Sequence, residues 1–467
     1  MTKPKITFIA IILIFLFAVL WFAIGCPPLE KCPGGKVKKA NQPKVSLSFM
    51  GPWDSTKDWS EIFEKFNAYK KLESNGFLDV SIKYEVVNGD YEDAIKDLQY
   101  KSKGPNIFML FNSWLPKYED DILPAPKEMM SLTQFKNTFA KVTAEDFTTT
   151  DGKIYSLPLY VDTLALFYNE DMLLQAGYIE PPKDWDEFKN YVENLSRFKK
   201  ETNTTLPASP QKNVSEKEIE IAGATFGGGW NVNRSQDIII LLAMQNNINT
   251  DEETLSFRNQ ESKDAINFYT SFTDPAKRFY TWNEDWMYSI DAFVQNKAAM
   301  MINYSYAIEN IDEKTQGELN YRIAPIPQLD ENHKVNYANY WSPVVPAIAP
   351  CDSKVKVDCR ALAWEFIKFA TQEVNAKIYL DNTNRPAANL KLAREQFNQT
   401  NGIRSIFAGQ VLTAKGWEHP DSENSDIILV ELIDHLTSKD LAKELVDKEI
   451  TTNDIIESAG RKIKALQ

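Results

Sequence analysis

The chain has 467 residues, a hydrophobic content of 43% and a formal net charge of −13. This length exceeds what one hydrophobic core organises, so we expect two to three domains. The acidic excess argues against nucleic-acid binding, which depends on clustered Lys and Arg. It also disfavours polyanionic ligands, unless a local basic pocket overrides the overall charge.

The first 25 residues are predicted to be a membrane anchor or a signal segment. Lys3 and Lys5 precede an apolar run from Ile6 to Gly25, which is long enough for a membrane-spanning helix with the rest of the chain outside. We favour an uncleaved anchor. The alternative is a cleaved signal, because Ala23-Ile-Gly-Cys26 resembles a bacterial lipobox with Cys26 as the lipidated residue. Residues 26–43 carry Pro, Gly and Lys and are predicted to be a tether.

The four cysteines occur as two close pairs, Cys26 with Cys32 and Cys351 with Cys359. An even count at short spacing outside the membrane favours disulfides. A bond between Cys26 and Cys32 would exclude lipidation. The cysteines lack nearby histidines, so we predict no metal site, and no cofactor is implied.

Folded sequence begins at Lys44, where alternating strands and amphipathic helices follow one another. This alternation predicts parallel βαβ units in an α/β fold. Later elements include a helix beginning at Trp185 with Asp184 as its cap and Glu187 as capping-box partner. The other expected elements are the strands Val45–Phe49, Val80–Val86, Pro105–Phe111, Met300–Ile302 and Tyr321–Pro327 and the helices Trp59–Tyr69, Tyr91–Leu98, Ile238–Met244 and Ala361–Leu380.

The order of several short stretches resembles the extracytoplasmic solute-binding proteins that feed ABC importers, specifically the sugar-binding family that includes maltose-binding protein. The stretches are Asp151–Pro158 followed by Tyr160–Asp162 and Leu164–Asn169, then Pro181–Phe188, Asn296–Asn303, Arg322–Pro327, Ala363–Ala370 and Asn384–Pro386. This resemblance implies a two-lobed periplasmic-binding-protein-like fold with discontinuous lobes, here preceded by the N-terminal membrane helix. It also implies that Asp162 lies in the cleft between the lobes.

The resemblance sets the expected lobe boundaries and the expected hinge. The first lobe is residues 44–158 plus 347–388, and the second is residues 164–340 plus 400–467. Three crossovers between them would form the hinge, near Pro158–Asp162, Asn339–Val345 and Arg385–Leu390.

A carbohydrate presents apolar C–H faces and a rim of hydroxyls, which suit aromatic rings and polar side chains respectively. Such residues at strand ends are the candidates for ligand binding. For the aromatic candidates the alternative is ordinary packing. Asp162 needs hydrogen-bond donors because a buried unpaired carboxylate is costly, and the donors are ligand hydroxyls or backbone N–H groups. The candidates are Trp53, Trp114, Asp162, Trp230, Tyr304 and Trp341.

Together these features predict a binding protein, not an enzyme, that is tethered outside the membrane. It would capture a mono- or oligosaccharide by lobe closure and deliver it to the subunits of an ABC permease. One alternative is a surface-anchored glycoside hydrolase, which needs two carboxylates, and only Asp162 is marked as a cleft acid. The other is a binding protein for a non-sugar solute such as a peptide, a polyamine or a phosphodiester.

Overall fold

The computed structural model describes residues 44–100, 104–199, 218–246, 259–348, 357–399, 402–417 and 421–466. The predicted membrane segment and tether, and with them Cys26 and Cys32, lie outside these residues, as does Cys351. Within the described ranges, no helix has both the length and the apolar composition needed to cross a membrane. Cys359 is disulfide-bonded, but because Cys351 is not described, the pairing of these two cysteines stays a prediction.

The strands form two main sheets and two short pairs of strands. In chain order they are β1 Lys44–Gly51, β2 Asp79–Val86, β3 Ile107–Phe111, β4 Ile122–Leu123, β5 Ala165–Asn169, β6 Arg197–Phe198, β7 Ile219–Ile221, β8 Met300–Asn303, β9 Tyr321–Ala324, β10 Asn336–Tyr337, β11 Trp341–Pro346 and β12 Ala414–Lys415.

Helices cover the sheets and connect the strands. Up to residue 245 they are Thr56–Glu73, Tyr91–Tyr100, Leu115–Tyr118, Leu132–Thr138, Lys141–Phe147, Glu170–Gln175, Trp185–Leu195 and Ser235–Gln245. Beyond residue 258 they are Gln260–Thr270, Ser289–Val294, Ala307–Thr315, Cys359–Ala370, Glu373–Thr383, Leu390–Phe397, Ile403–Gln410, Ser422–Thr437, Leu441–Asp447 and Thr452–Lys464. Short 3-10 turns occupy Glu119–Asp121, Ser271–Thr273 and Val411–Thr413.

The first sheet has the order β2-β1-β3-β11-β4. Strands β2, β1 and β3 are parallel, as the alternation of strands and helices predicts, while β11 runs antiparallel to β3 and β4. All five residues of β3 are buried, because helices cover both faces of a parallel sheet.

The second sheet, of order β8-β5-β9, is antiparallel throughout. The parallel βαβ units predicted from the alternation after Lys44 are thus confined to the first sheet. The partners of β5 come from positions more than 100 residues away along the chain, so no local βαβ crossover fixes their direction.

Buried apolar side chains form three clusters that define two lobes. One cluster surrounds the first sheet, and we call the body built on it the first lobe. The other two lie on opposite faces of the second sheet and build the second lobe. Successive residues of β5 alternate between these faces, since Leu166 and Tyr168 join one cluster and Ala165 and Phe167 the other.

The chain passes between the lobes through segments that are hydrogen-bonded to each other. Tyr160 pairs with Ala387 and Thr163 pairs with Ala338 as isolated bridges. Val161 belongs to the first-lobe cluster and Leu164 to the second-lobe cluster. Segments 158–162, 339–345 and 385–390, where the crossovers are expected, are hydrogen-bonded to each other. Leu392 and Ala393, which follow the third segment, still belong to the first-lobe cluster, so the position of the third crossover stays a prediction.

Two local predictions differ from the structure in detail. The helix expected over Ala361–Leu380 is interrupted at Thr371 and Gln372, where the Thr371 hydroxyl donates to the Ile367 carbonyl at 3.0 Å and closes the first helix. Asp184 caps its helix as predicted by accepting from the Glu187 N–H at 2.7 Å. The Glu187 carboxylate, however, accepts from the backbone of Lys183 at 2.8 Å.

We predict that Phe226→Ala strongly destabilises the second lobe. Phe226 is fully buried, and its ring lies 4.6 Å from that of Tyr269 and 4.7 Å from that of Phe272. Truncation should lower the free energy of unfolding by about 3–5 kcal/mol, measured by urea denaturation. Ile179→Ala, at a position that is 88% exposed, should change it by less than about 0.5 kcal/mol. Equal effects of the two changes would contradict this packing.

Candidate functional site

A cavity of about 330 Å³ is lined by residues of both lobes and of the crossovers. Its volume lies within the usual range of small-molecule sites, about 300–1,000 Å³. Aromatic rings, two guanidinium groups, one carboxylate and two amides line it. These residues are Trp53 from the first lobe, Asn233, Arg234, Tyr304 and Tyr306 from the second, and Tyr160, Asp162, Asn339, Trp341 and Arg385 from the expected crossover segments.

Trp53 reaches the cleft because strand β1 ends in a tight Gly-Pro turn. A Cβ atom on Gly51 would lie 1.9 Å from the Tyr84 hydroxyl, so only glycine fits there. The turn leaves the Trp53 side chain 65% exposed. An exposed indole at the edge of a cavity is available for stacking against a ligand.

A buried ion pair in the first lobe fixes Arg385. The Asp54 carboxylate lies 2.9 Å from the Arg385 guanidinium and accepts from Trp59 Nε1 at 3.0 Å and from the Tyr379 hydroxyl at 2.9 Å. The guanidinium carbon of Arg385 lies 4.3 Å from the centre of the Tyr160 ring, a cation–π contact. Asp54 is 6% exposed, so it contacts Arg385 from the interior of the first lobe and orients the guanidinium toward the cleft.

The wall of the second lobe is a connected hydrogen-bond network. Arg234 Nε donates to the Tyr306 hydroxyl at 3.0 Å, and that hydroxyl donates to Asn233 Oδ1 at 2.8 Å. Asn303 Nδ2 donates to the same amide oxygen at 3.1 Å. The rings of Tyr304 and Tyr306 stack 6.2 Å apart. These bonds restrict the side-chain rotation of each member of the wall.

Asp162 lies on the cleft lining, and groups of the protein satisfy its carboxylate. It accepts from the Thr163 N–H at 2.9 Å, from the Ser305 N–H at 3.1 Å and from the Ser305 hydroxyl at 2.7 Å. Burial raises the pKa of Asp162 from 3.8 to about 6, although the bonds from Ser305 and the charge of Arg385 oppose the rise. The sequence left open whether ligand hydroxyls or backbone N–H groups donate to Asp162. In the structure, two of the three donors are backbone N–H groups and the third is the Ser305 hydroxyl.

Four of the predicted residues line the cleft, namely Trp53, Asp162, Tyr304 and Trp341. Trp114 does not. It is 5% exposed, its ring packs 5.2 Å from the ring of Trp341, and its Nε1 donates to the Ser422 hydroxyl at 2.5 Å. Trp114 thus lies behind Trp341 and connects the first lobe to a helix of the second.

Trp230 is 60% exposed but does not line the cleft either. The backbone N–H of Trp230 donates to Asp434 Oδ1 at 3.1 Å, and a Cβ atom on Gly229 would lie 2.2 Å from that same oxygen. The glycines before Trp230 therefore allow the backbone to approach Asp434. From the sequence, we expected them to allow an approach to a ligand.

Sequence reasoning missed six lining residues, and each has a signal that could have found it. Tyr160, Asn339 and Arg385 occur within or at the edge of the expected crossovers. The other three lie two to four residues from a predicted candidate, although Trp230, the candidate nearest to two of them, does not itself line the cleft. These three are Asn233, Arg234 and Tyr306.

The described part of the chain contains no cluster of three or more His, Cys, Asp or Glu residues arranged to hold a metal ion.

Comparison with known proteins places the fold and the family. Residues 61–404, more than half of the chain, match the model of a family described as bacterial extracellular solute-binding protein. The maltotriose-binding protein of Pyrococcus abyssi is 22% identical over 306 residues, which are 65% of this chain and 59% of the relative. A maltodextrin-binding protein of Bacillus subtilis is 22% identical over 270 residues, 57% of each chain. The chain thus spans less than two thirds of the length of these two relatives.

Two solved structures share the fold over most of their length. A cyclo/maltodextrin-binding protein complexed with maltotetraose aligns with a TM-score of 0.65 at 15% identity, covering 90% of this chain and 96% of that one. The GacH receptor of Streptomyces glaucescens aligns with a TM-score of 0.63 at 16% identity, covering 90% and 98%. These likenesses confirm the predicted two-lobed α/β fold.

We predict that Asp162 gives the protein a pH-dependent stability in mildly acidic solution. Its pKa is about 6 in the folded chain against 3.8 as the ordinary value, so the folded state binds more protons between about pH 4 and pH 6. Stability should therefore fall as the pH rises through this window, by on the order of 3 kcal/mol in total. In Asp162→Asn that contribution should be absent, as urea denaturation at closely spaced pH values would show.

Ser305→Ala is the matched variant, because it removes a hydroxyl that stabilises the Asp162 anion. This substitution should raise the pKa of Asp162 further, so the stability should continue to fall up to a higher pH than in the wild type. If the free energy of unfolding changes with pH in the same way in the wild type and in Asp162→Asn, the Asp162 carboxyl is not the cause of the pH dependence.

Proposed function

This chain belongs to the family of bacterial extracellular solute-binding proteins, and we propose that it binds a carbohydrate in the cleft between its lobes.

The observation that carries the proposal is the composition of one cavity. It combines the rings of Trp53, Tyr304 and Trp341 with the polar side chains of Asp162 and Asn339. Aromatic rings stack on the apolar faces of sugar rings, and carboxylates and amides bind their hydroxyls. The maltotriose- and maltodextrin-binding relatives support the same ligand class for this chain.

The hinge of this protein consists of the three crossover segments. The Asp162 carbonyl accepts from the Asn339 N–H at 3.1 Å, and the Val161 N–H donates to the Pro386 carbonyl at 3.2 Å. Closure rotates one lobe against the other about these segments and brings the two walls of the cleft onto the ligand. The lobe boundaries given above, residues 44–158 plus 347–388 and 164–340 plus 400–467, are part of this proposal.

The cellular arrangement follows from the family and from the N-terminal sequence. The family is extracellular, and residues 1–25 would tether the chain to the membrane, either as a retained helix or through lipidated Cys26. Disulfide-bonded Cys359 supports an oxidising compartment outside the cytoplasm. The loaded, closed protein then delivers its solute to an ABC permease.

No observation favours the glycoside hydrolase. Inverting and retaining enzymes both need a pair of carboxylates at the scissile bond. Among the described residues that line the cleft, Asp162 is the one with a carboxylate, and Ser305 and Thr163 already occupy it.

We predict that Trp53→Ala and Trp341→Ala each weaken carbohydrate binding by about 10- to 100-fold, since each removes an aromatic face from the cleft. Titration of tryptophan fluorescence with maltotriose, maltotetraose and other oligosaccharides would measure the loss, with calorimetry for the two tryptophan variants. Phe77→Ala is the matched control, because Phe77 is an aromatic residue of the first lobe that is 68% exposed and away from the cleft. Absence of any response to a broad carbohydrate panel would overturn the proposal.

A further inference from the structure

The cleft contains two arginines that the carbohydrate proposal does not require. Arg385 belongs to the first lobe and Arg234 to the second, and both line the same cavity. We propose that the bound saccharide carries a carboxylate, as a uronic acid does, and that these two guanidiniums hold it from the two walls. This inference rests on the proposed carbohydrate function and narrows it to an acidic sugar.

Arg385 is already oriented and retains donors for a ligand. Its side chain is 12% exposed, and its NH1 group is held by Asp54 at 2.9 Å and by the Tyr379 hydroxyl. A guanidinium has five N–H donors in a planar fork, so the Nε and NH2 groups remain for the cleft side. That fork matches a carboxylate with two parallel hydrogen bonds.

Arg234 is held in an uncommon backbone conformation at the opposite wall. Its φ of 63° lies in the left-handed region, a strained conformation for a non-glycine residue that is often found at ligand sites. Arg234 immediately precedes the helix Ser235–Gln245, whose N-terminus carries partial positive charge. Its side chain is 28% exposed, its Nε donates to Tyr306, and its NH1 lies 4.0 Å from the Asp237 carboxylate, so NH2 is the group left for a ligand.

Each of the two arginines has a buried carboxylate behind the cleft wall. Arg385 pairs with Asp54 at 2.9 Å, and Arg234 NH1 lies 4.0 Å from the Asp237 carboxylate. Neither Asp54 nor Asp237 lines the cavity. A ligand carboxylate would therefore be held by the directed N–H donors of the two guanidiniums, and not by an excess of positive charge in the cleft.

The test compares an acidic sugar with its uncharged ester. Binding of di- and trigalacturonate, of glucuronate, of their methyl esters and of maltotriose is measured by calorimetry at low and high salt. We expect at least one uronate to bind about 100-fold more tightly than its methyl ester and to weaken as salt increases. Equal affinity of acid and ester, or binding of maltotriose with no binding of the uronates, would overturn this inference and leave the carbohydrate proposal standing.

Substitutions of the two arginines test whether their guanidinium groups bind the ligand carboxylate. Arg234→Gln should weaken uronate binding by about 10- to 100-fold and leave the methyl ester nearly unaffected. Arg385→Lys keeps a charge opposite Asp54 but removes the planar fork, so it should selectively weaken the acid as well. Arg278→Gln is the control, because Arg278 is 85% exposed, belongs to the second lobe and pairs with Glu193. If no variant distinguishes acid from ester, the inference fails; if no saccharide binds at all, the carbohydrate proposal fails with it.

Discussion

The architecture of this protein depends on the crossover segment around Asp162. The backbone carbonyl of Asp162 accepts from Asn339 in the second crossover, and its side chain accepts from the N–H and the hydroxyl of Ser305 in the second lobe. The preceding residues bond to the third crossover through Val161 and Pro386. One short stretch is therefore hydrogen-bonded to both of the other expected crossover segments, and it places a carboxylate on the cleft lining. Because this carboxylate is buried, its bonds to Ser305 are needed to offset the cost of desolvation.

The same principle governs the two walls of the cleft. Both arginines that line the cavity have partners that restrict their orientation. Asp54 orients Arg385, and Tyr306 and Asn233 orient Arg234. Trp114 supports Trp341 from behind through ring contact. Preorganised walls reduce the entropy that a ligand must offset on binding.

Much of the fold could be predicted from the sequence, because its signals are local. The alternation of Val45, Leu47 and Phe49 predicts a strand, and the parallel order of β1, β2 and β3 follows from the helices between them. The second sheet shows the limit of such inference. Strand β5 pairs with β8 and β9 from distant parts of the chain, and its antiparallel direction has no local signal. The break between the helices at Thr371 and Gln372, where Gln372 has an extended backbone, also has no signal that we recognised in the sequence.

For the site, the sequence shows which residue types stand at the ends of strands and in the expected crossovers. That information was sufficient for Trp53, Asp162, Tyr304 and Trp341, all of which line the cavity. The direction of each side chain depends on the folded structure. Trp114 turned behind Trp341, and the loop of Trp230 packed against Asp434, while Arg234 and Arg385 were brought to one cleft from positions about 150 residues apart. The physical reason is that side-chain direction and charge pairing are set by contacts between residues far apart in sequence, which no local pattern encodes.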